Sequence, residues 1–302
     1  MKKLLVTGAS GFLGYNVCAA ARDSWDVFGT FCKHPVAIDN VKTLQVDLAD
    51  PEPLSIVFRD IRPDAVIHCA ANPDPNYCQQ NPATSYRNNV QASIVVASLC
   101  AKQGIACVYT STDLVFGGGD MPPYDELCPT GPISVYGEHK VAAEKGMTEA
   151  YPDATICRMP LMFGDAPAPA KSFIQPMISA LVNGRELRLF SDEYRTPVSG
   201  ATAARGLLLA LEMSPGLLHL GGRERISRYD FGRLLAAALG RDGAAIVPVR
   251  QKDMAFPAPR PRDVSLTSEK AFDLGYDPKP LAEQLVELEC VRSAGRTGNP
   301  AS

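Results

Sequence analysis

Uninterrupted apolar segments are short throughout this sequence. No stretch reaches the roughly 18 consecutive apolar residues of a membrane-spanning helix. The apolar run 4–6 is interrupted at Thr7 and Gly8, which makes it too short for the core of a signal peptide. Positive charge is not in excess either, because 30 Lys and Arg face 33 Asp and Glu, whereas general nucleic-acid binding needs a basic surface. We therefore expect a cytoplasmic protein that binds neither membranes nor nucleic acid.

Metal-ligand spacing is also missing from the sequence. The nine cysteines are scattered, no two of them form a CxxC pair, and the four histidines do not lie beside them at ligand spacing. Scattered cysteines in odd number are typical of a reducing compartment. The sequence therefore predicts no metal site.

What is present is an alternation of short apolar runs with longer segments of helical periodicity. The apolar runs of the first half are 4–7, 26–31, 43–46, 65–69, 105–109 and 155–157. Because they lack apolar–polar alternation, the corresponding strands are expected to be covered on both faces, as in a parallel sheet between helices. This pattern predicts an α/β fold with a doubly wound parallel sheet of the Rossmann type.

The regular alternation of strands and helices ends after Arg158, and a Pro/Ala-rich loop follows from Asp165 to Lys171. We expect a dinucleotide-binding domain and a smaller C-terminal substrate-binding lobe. The expected division is 1–165 for the domain, with 196–222 returning to it, 166–195 and 223–290 for the lobe, and 291–302 for a frayed tail.

Three glycines lie at the junction of the first predicted strand and helix. Gly8 permits a tight turn, Gly11 lets the backbone approach a pyrophosphate, and Gly14 lets the helix pack closely on the strand. The helix N-terminus then offers free N–H groups and a partial positive charge to the anion. The spacing therefore predicts a dinucleotide site.

The end of the second strand indicates which dinucleotide is preferred. An NAD-specific site places an acid there to bind the ribose hydroxyls, but this chain has Thr30 to His34 with a cation at Lys33. We therefore favour NADP over NAD, with Lys33 near the 2′-phosphate. Lys33 could also be a solvated loop residue. Asp47 could accept from the adenine amino group or start a turn before Pro51.

A phenol and an ammonium, Tyr136 and Lys140, are four residues apart on a predicted helix over 135–151, which places them on one face. A free tyrosine has a pKa near 10, and a nearby lysine and an oxidised nicotinamide are expected to lower it. Tyr136 could then exchange a proton with a substrate carbonyl while a hydride is transferred. Such a pair alone is weak evidence for a reductase active site. Together with the glycine turn upstream it becomes strong evidence.

Hydroxyls are expected at the end of the fifth strand, where ligands meet open α/β sheets. Thr112 is our candidate to hydrogen-bond the substrate carbonyl, with Ser111 as the second choice. These hydroxyls could instead cap the loop backbone.

Six short motifs occur in a fixed order along the chain. They are TGASGFLG (7–14), HCAA (68–71), NV (89–90), STDLVFGG (111–118), PPYDE (122–126) and YGEHK (136–140). Together they resemble the extended short-chain dehydrogenase/reductase superfamily, and within it the dTDP-4-dehydrorhamnose reductase group. The chain is also similar to the regulatory β subunit of methionine adenosyltransferase, which belongs to the same group. The resemblance covers about residues 1 to 288 and is looser after the first 160.

This resemblance implies an NADPH-type cofactor and a nucleotide-linked 4-keto sugar that is reduced to the alcohol. The implied catalytic residues are Thr112, Tyr136 and Lys140. The implied cofactor contacts are Gly8, Ser10, Gly11, Phe12, Leu13, Gly14, Asp47, Leu48, Ala70, Ala71, Asn72, Tyr136, Lys140 and Pro160.

Substrate contacts are expected from Ser111, Thr112 and Asp113, beside the loop that starts at Asn72. Arg195 and Arg262 are candidates for a substrate phosphate, because a guanidinium fork suits that anion. Both could equally form salt bridges between the lobes.

Two departures from the group's pattern indicate a divergent member, since His139 replaces a hydroxyl residue and Cys128 replaces an acid. Dehydration is not expected, because Leu114 stands where sugar dehydratases have a glutamate. An NDP-sugar epimerase fits less well, because the second strand lacks the acid that binds NAD. A nucleotide-binding regulatory subunit remains an alternative to the reductase, and a homodimer is left open.

Overall fold

The computed structural model describes residues 1–119, 122–166, 168, 170–213 and 215–297. The strands are β1 (Lys3–Thr7), β2 (Asp26–Phe31), β3 (Val41–Gln45), β4 (Ala65–His68), β5 (Ala106–Thr112), β6 (Thr155–Met159), β7 (Met162–Phe163), β8 (Leu187–Phe190), β9 (Tyr194–Arg195), β10 (Val198–Ser199), β11 (Gly216–His219), β12 (Ile226–Ser227) and β13 (Ile246–Val249).

The α-helices lie between and after these strands. They are α1 (Phe12–Ala21), α2 (Pro51–Ile61), α3 (Pro75–Gln80), α4 (Pro82–Tyr86), α5 (Ala92–Gln103), α6 (Val135–Ala150), α7 (Ile174–Val182), α8 (Gly200–Ala210), α9 (Arg228–Ala238), α10 (Glu269–Asp273), α11 (Leu281–Glu287) and α12 (Glu289–Thr297).

The central sheet has seven strands in the order β11-β6-β5-β4-β1-β2-β3. All its neighbouring pairs are parallel. Chain order reverses between β1 and β4, which creates the crevice at the carboxyl edge where ligands bind in open α/β sheets. This arrangement confirms the predicted doubly wound parallel sheet.

Alternate residues of the buried strands face two different helical layers. Leu4 and Val6 pack into a core with α1 and α8, whereas Leu5 packs into the opposite core with α2, α5 and α6. All three side chains are fully buried, as their uninterrupted apolar run predicts. Helices therefore cover both faces of the sheet and leave its carboxyl edge to form the site.

A third core lies outside this sheet. It is built around Phe163, Phe231 and Leu285, next to three two-stranded sheets that pair β7 with β10, β8 with β13, and β9 with β12. β11 instead pairs with β6 at the edge of the central sheet. The predicted division into domain and lobe stays a prediction.

A π-helical turn over 87–91 precedes α5. One sequence prediction needs correction. The expected frayed tail, 291–302, is helical over its first seven residues as the end of α12, where Val291 is buried in the third core, and 298–302 lie outside the described residues. Among the described residues, no helix is long and apolar enough to cross a membrane.

Candidate active site

The glycine turn between β1 and α1 packs too closely for side chains. Gly8 has a φ of +74°, and a Cβ built on it would lie 2.8 Å from the Ala70 Cα. A Cβ on Gly14 would lie 2.2 Å from the Gly8 carbonyl oxygen. The sequence motif therefore reflects a backbone that permits only glycine at these two positions.

The same turn leaves the start of α1 open to an anion. Gly11 is the N-cap residue, and no side chain caps the helix there. The first backbone N–H groups of a helix lack partners within it and favour negative charge. The turn thus fits the pyrophosphate of a dinucleotide.

Replacement of Gly14 by alanine tests this fit. We expect the new Cβ to push α1 away from the turn, at a cost of about 1–3 kcal/mol of stability. NADPH should then bind at least about tenfold more weakly, since 1.4 kcal/mol corresponds to a factor of ten. Fluorescence titration gives the Kd and thermal unfolding gives Tm. Gly243→Ala is the matched control because a Cβ there has nothing within 4 Å, and equal Kd values for the two variants would contradict the assignment.

A cleft of about 730 Å³ extends from this turn along the carboxyl edge of the sheet. It brings together most of the residues predicted for cofactor and chemistry. Those on its wall are Gly8, Ser10, Gly11, Phe12, Leu13, Gly14, Lys33, Asp47, Leu48, Ala70, Ala71, Asn72, Ser111, Tyr136 and Lys140.

The cleft wall also contains residues that the sequence reasoning missed. They include Thr30, Cys32, His34, Val46, Asn88, Thr110, Met159, Met162 and Ala170. Most lie in the last three residues of a strand or within three residues after it, so their position at the end of an apolar run is the signal that could have found them. Five predicted residues do not lie on the cleft wall, namely Thr112, Asp113, Pro160, Arg195 and Arg262.

Lys33 lies on the cleft wall and is exposed. Asp47 already has two partners within the protein: it accepts a hydrogen bond from the Ala49 N–H at 3.0 Å and pairs with Arg87 at 3.3 Å. Both alternatives raised for Asp47 therefore stay open, since a turn contact does not occupy every lone pair of a carboxylate.

Tyr136 lies in the first turn of α6. Ser134 caps this helix by accepting from the Gly137 N–H at 3.2 Å, and the tyrosine is 7% exposed. Burial raises the pKa of its phenol, and the charges of Cys78 and Asp113 raise it further, while a hydrogen bond with the Thr112 side chain opposes them. The phenol is therefore protonated at neutral pH, whereas the sequence analysis expected a lowered pKa.

Lys140 follows one turn later and is 2% exposed. Its Nζ donates to the Thr110 carbonyl oxygen at 2.6 Å and lies 4.2 Å from the centre of the Tyr109 ring. Burial lowers the pKa of this ammonium to about 7, although the charge of Glu144 opposes the shift. A lysine that is only partly charged at neutral pH stabilises a phenolate weakly, so it does little to offset the effect of burial on Tyr136.

The two hydroxyls at the end of β5 have different partners. Thr112 Oγ1 accepts from the Leu114 N–H at 3.2 Å and donates to Asp113 at 3.2 Å. It therefore caps the backbone of the loop, which was the second role considered for this hydroxyl. Ser111 Oγ instead donates to the Glu144 carboxylate. Thr112 lies beside Tyr136, and Ser111 lies on the cleft wall.

The two arginines proposed for a substrate phosphate differ in burial and in partners. Arg195 is buried and pairs with Asp113 at 3.4 Å and Glu193 at 3.6 Å, which matches the alternative of a salt bridge. Asp113 is buried too, and this burial raises the pKa of its carboxyl to about 6. Arg262 is exposed. Phosphate binding by either arginine stays a prediction.

Fold and site together define a dinucleotide-binding oxidoreductase of the extended short-chain dehydrogenase/reductase superfamily. A sequence profile for the RmlD substrate binding domain matches residues 1–289. The chain belongs to this family.

Known proteins similar to this chain agree with that assignment. A "Probable low-salt glycan biosynthesis reductase" of Haloferax volcanii is 30% identical over 293 residues, 95% of this chain and 97% of that protein. Methionine adenosyltransferase 2 subunit beta of Pongo abelii is 27% identical over 282 residues, 91% of this chain and 83% of that protein. The crystal structure of dTDP-4-dehydrorhamnose reductase from Yersinia enterocolitica superposes with a TM-score of 0.83 at 26% identity, covering 97% of this chain and 100% of that one.

Proposed function

We propose that this protein is an NADPH-dependent reductase of a nucleotide-linked 4-keto sugar, similar to dTDP-4-dehydrorhamnose reductase. One observation carries the proposal: Tyr136 and Lys140 lie on the same cleft as the glycine turn. The names of two similar proteins, a glycan biosynthesis reductase and a dTDP-4-dehydrorhamnose reductase, support the substrate class.

Different residues of the cleft would bind the cofactor and transfer the proton. The turn at Gly8 and Gly11 would hold the pyrophosphate with backbone N–H groups, and Lys140 would hold the nicotinamide ribose. When bound, NADPH supplies the hydride. The buried, neutral phenol of Tyr136 would give its proton to the substrate carbonyl oxygen, which completes the alcohol.

Tyr136 carries the proton that a reduction requires. A reduction needs a protonated phenol at its start, and burial keeps the phenol protonated across the neutral range. The Thr112 side chain, which lies beside Tyr136, would hold the phenol in position.

Lys33 is proposed to select NADP over NAD through the 2′-phosphate. We expect Lys33→Ala to weaken NADPH binding by about tenfold, because a charge-assisted hydrogen bond contributes about 1.5 kcal/mol. The Kd for NADH should not change. Lys42→Ala is the control, since Lys42 pairs with Asp26 at 3.0 Å and is not on the cleft wall. Equal losses for both dinucleotides in Lys33→Ala would count against this role.

Turnover tests the proposed function itself. Purified protein, NADPH and dTDP-4-dehydrorhamnose should give a loss of NADPH absorbance and formation of the reduced sugar. A second candidate is a regulatory subunit, favoured by the 27% identity with the methionine adenosyltransferase β subunit. Tight NADPH binding without turnover of any nucleotide-linked keto sugar, together with a change in methionine adenosyltransferase activity, would favour that candidate.

A further inference from the structure

A buried ion pair lies behind the reactive residues. Glu144 is one turn after Lys140 on α6, and Arg158 is on the neighbouring β6. The Glu144 Oε1 accepts from the Arg158 Nε at 3.0 Å, and its Oε2 accepts from the Arg158 Nη2 at 2.9 Å. The two side chains are 12% and 5% exposed. This bidentate pair is fixed in one geometry, as charge-assisted forks are.

Ser111 connects this pair to the cleft. Its hydroxyl donates to the Glu144 Oε1, and the residue lies on the cleft wall. A hydroxyl has one hydrogen to donate and two lone pairs that can accept. Because the hydrogen is already used on Glu144, Ser111 can only accept from a ligand, so it would bind a hydroxyl or amide N–H and not the reacting carbonyl oxygen.

Glu144 also faces Lys140 along the helix, because residues four apart share one face. Four titratable groups around Lys140 are uncharged at neutral pH. Burial lowers the pKa of His68 to about 3 and raises the pKa values of Cys69, Tyr109 and Tyr136. Among these neighbours, Glu144 therefore carries the negative charge, and its partner Arg158 carries the compensating positive charge.

We infer that Glu144 is a positioning residue of the active site, which fixes the Ser111 hydroxyl as an acceptor toward the cleft and places a negative charge one helical turn from Lys140. This inference deepens the proposed function, and its catalytic meaning rests on that function. Arg158 holds the carboxylate in place with two hydrogen bonds. Neither residue of the pair was predicted from the sequence.

Titration of Lys140 tests the inference without any cofactor or substrate. The protein is isotope-labelled at the lysine ε-carbons, and the Lys140 signal is assigned with a Lys140→Met variant. In the wild type this signal should titrate with a midpoint at about 7. In Glu144→Gln the midpoint should fall by about one pH unit, as expected when a nearby opposite charge is removed. The charged fraction of Lys140 at neutral pH would then fall about fivefold.

Glu149→Gln is the matched control, because Glu149 lies on the same helix and is 68% exposed. Its Lys140 midpoint should equal that of the wild type. Glu144→Gln leaves the Arg158 charge buried without its partner, which can prevent folding. A double variant, Glu144→Gln with Arg158→Gln, replaces the pair by two amides, and its Lys140 midpoint should be lower than that of Arg158→Gln, which keeps the carboxylate.

Thermal unfolding of each variant shows that folded protein is being titrated. An unchanged Lys140 midpoint in folded Glu144→Gln, or equal midpoints in the folded double variant and Arg158→Gln, overturns the inference. That result would leave the proposed reductase intact, because turnover by the wild type is measured separately. A lowered midpoint in a protein without reductase activity would support the inference and remove the proposed function.

Discussion

Tyr136→Phe should lower the kcat of the proposed reduction by about 10²–10⁴, the usual contribution of a positioned acid. The substitution removes one hydroxyl from a side chain that is 7% exposed, so the ring should keep its packing. The Kd for NADPH should stay within about twofold of the wild type, since the glycine turn, which would supply most of the binding, is unchanged. Stopped-flow measurement of NADPH oxidation gives the rate, and fluorescence titration gives the Kd.

A matched tyrosine variant separates this effect from a general loss of packing. Tyr124 is also buried and stacks on Phe116 with ring centres 4.1 Å apart, but it does not lie on the cleft wall. Tyr124→Phe should therefore keep near wild-type turnover. A Tyr136→Phe variant that reduces substrate at the wild-type rate would refute the proton-transfer role.

Lys140→Met should reduce kcat/KM by about 10²–10³ and weaken NADPH binding by about tenfold, because a charge-assisted hydrogen bond to the ribose would be lost. Methionine is similar in length and should tolerate the buried position next to the Tyr109 ring. Lys145→Met is the control, since Lys145 is on the same helix and 78% exposed. Steady-state kinetics and titration with NADPH measure the two effects.

The pH dependence of NADPH binding gives Lys140 a second test. The charged form of a lysine exists below its pKa and is lost above it. Since the pKa of Lys140 is lowered to about 7, NADPH affinity in the wild type should decline as the pH rises through this region. Lys140→Met should lack that decline. The same decline in the variant would mean that another group titrates.

The fold and the centre of the site could be predicted because they depend on local spacing. Buried apolar runs such as 4–7 define strands of a covered sheet, and Gly8 and Gly14 must be glycine for reasons of backbone contact alone. Tyr136 and Lys140 share a helical face whatever the rest of the chain does. These features are encoded within a few residues.

Features that depend on distant parts of the chain could not be predicted in the same way. Arg158 reaches Glu144 only because β6 lies beside β5 and under α6, and Arg195 reaches Asp113 from beyond the central sheet. The pKa of Tyr136 depends on burial, which spacing does not show. Sequence reasoning therefore located the reactive groups, whereas their protonation also depends on burial.

Deuterium transfer tests the central claim most directly. The protein is incubated with dTDP-4-dehydrorhamnose and NADPH that carries deuterium at the reactive carbon of the nicotinamide, and the sugar product is analysed by mass spectrometry and NMR. We predict one deuterium at the former carbonyl carbon, formed by the wild type and nearly absent with Tyr136→Phe. A reduced sugar without that deuterium, or equal labelling by both proteins, would contradict a direct hydride and proton transfer in this cleft.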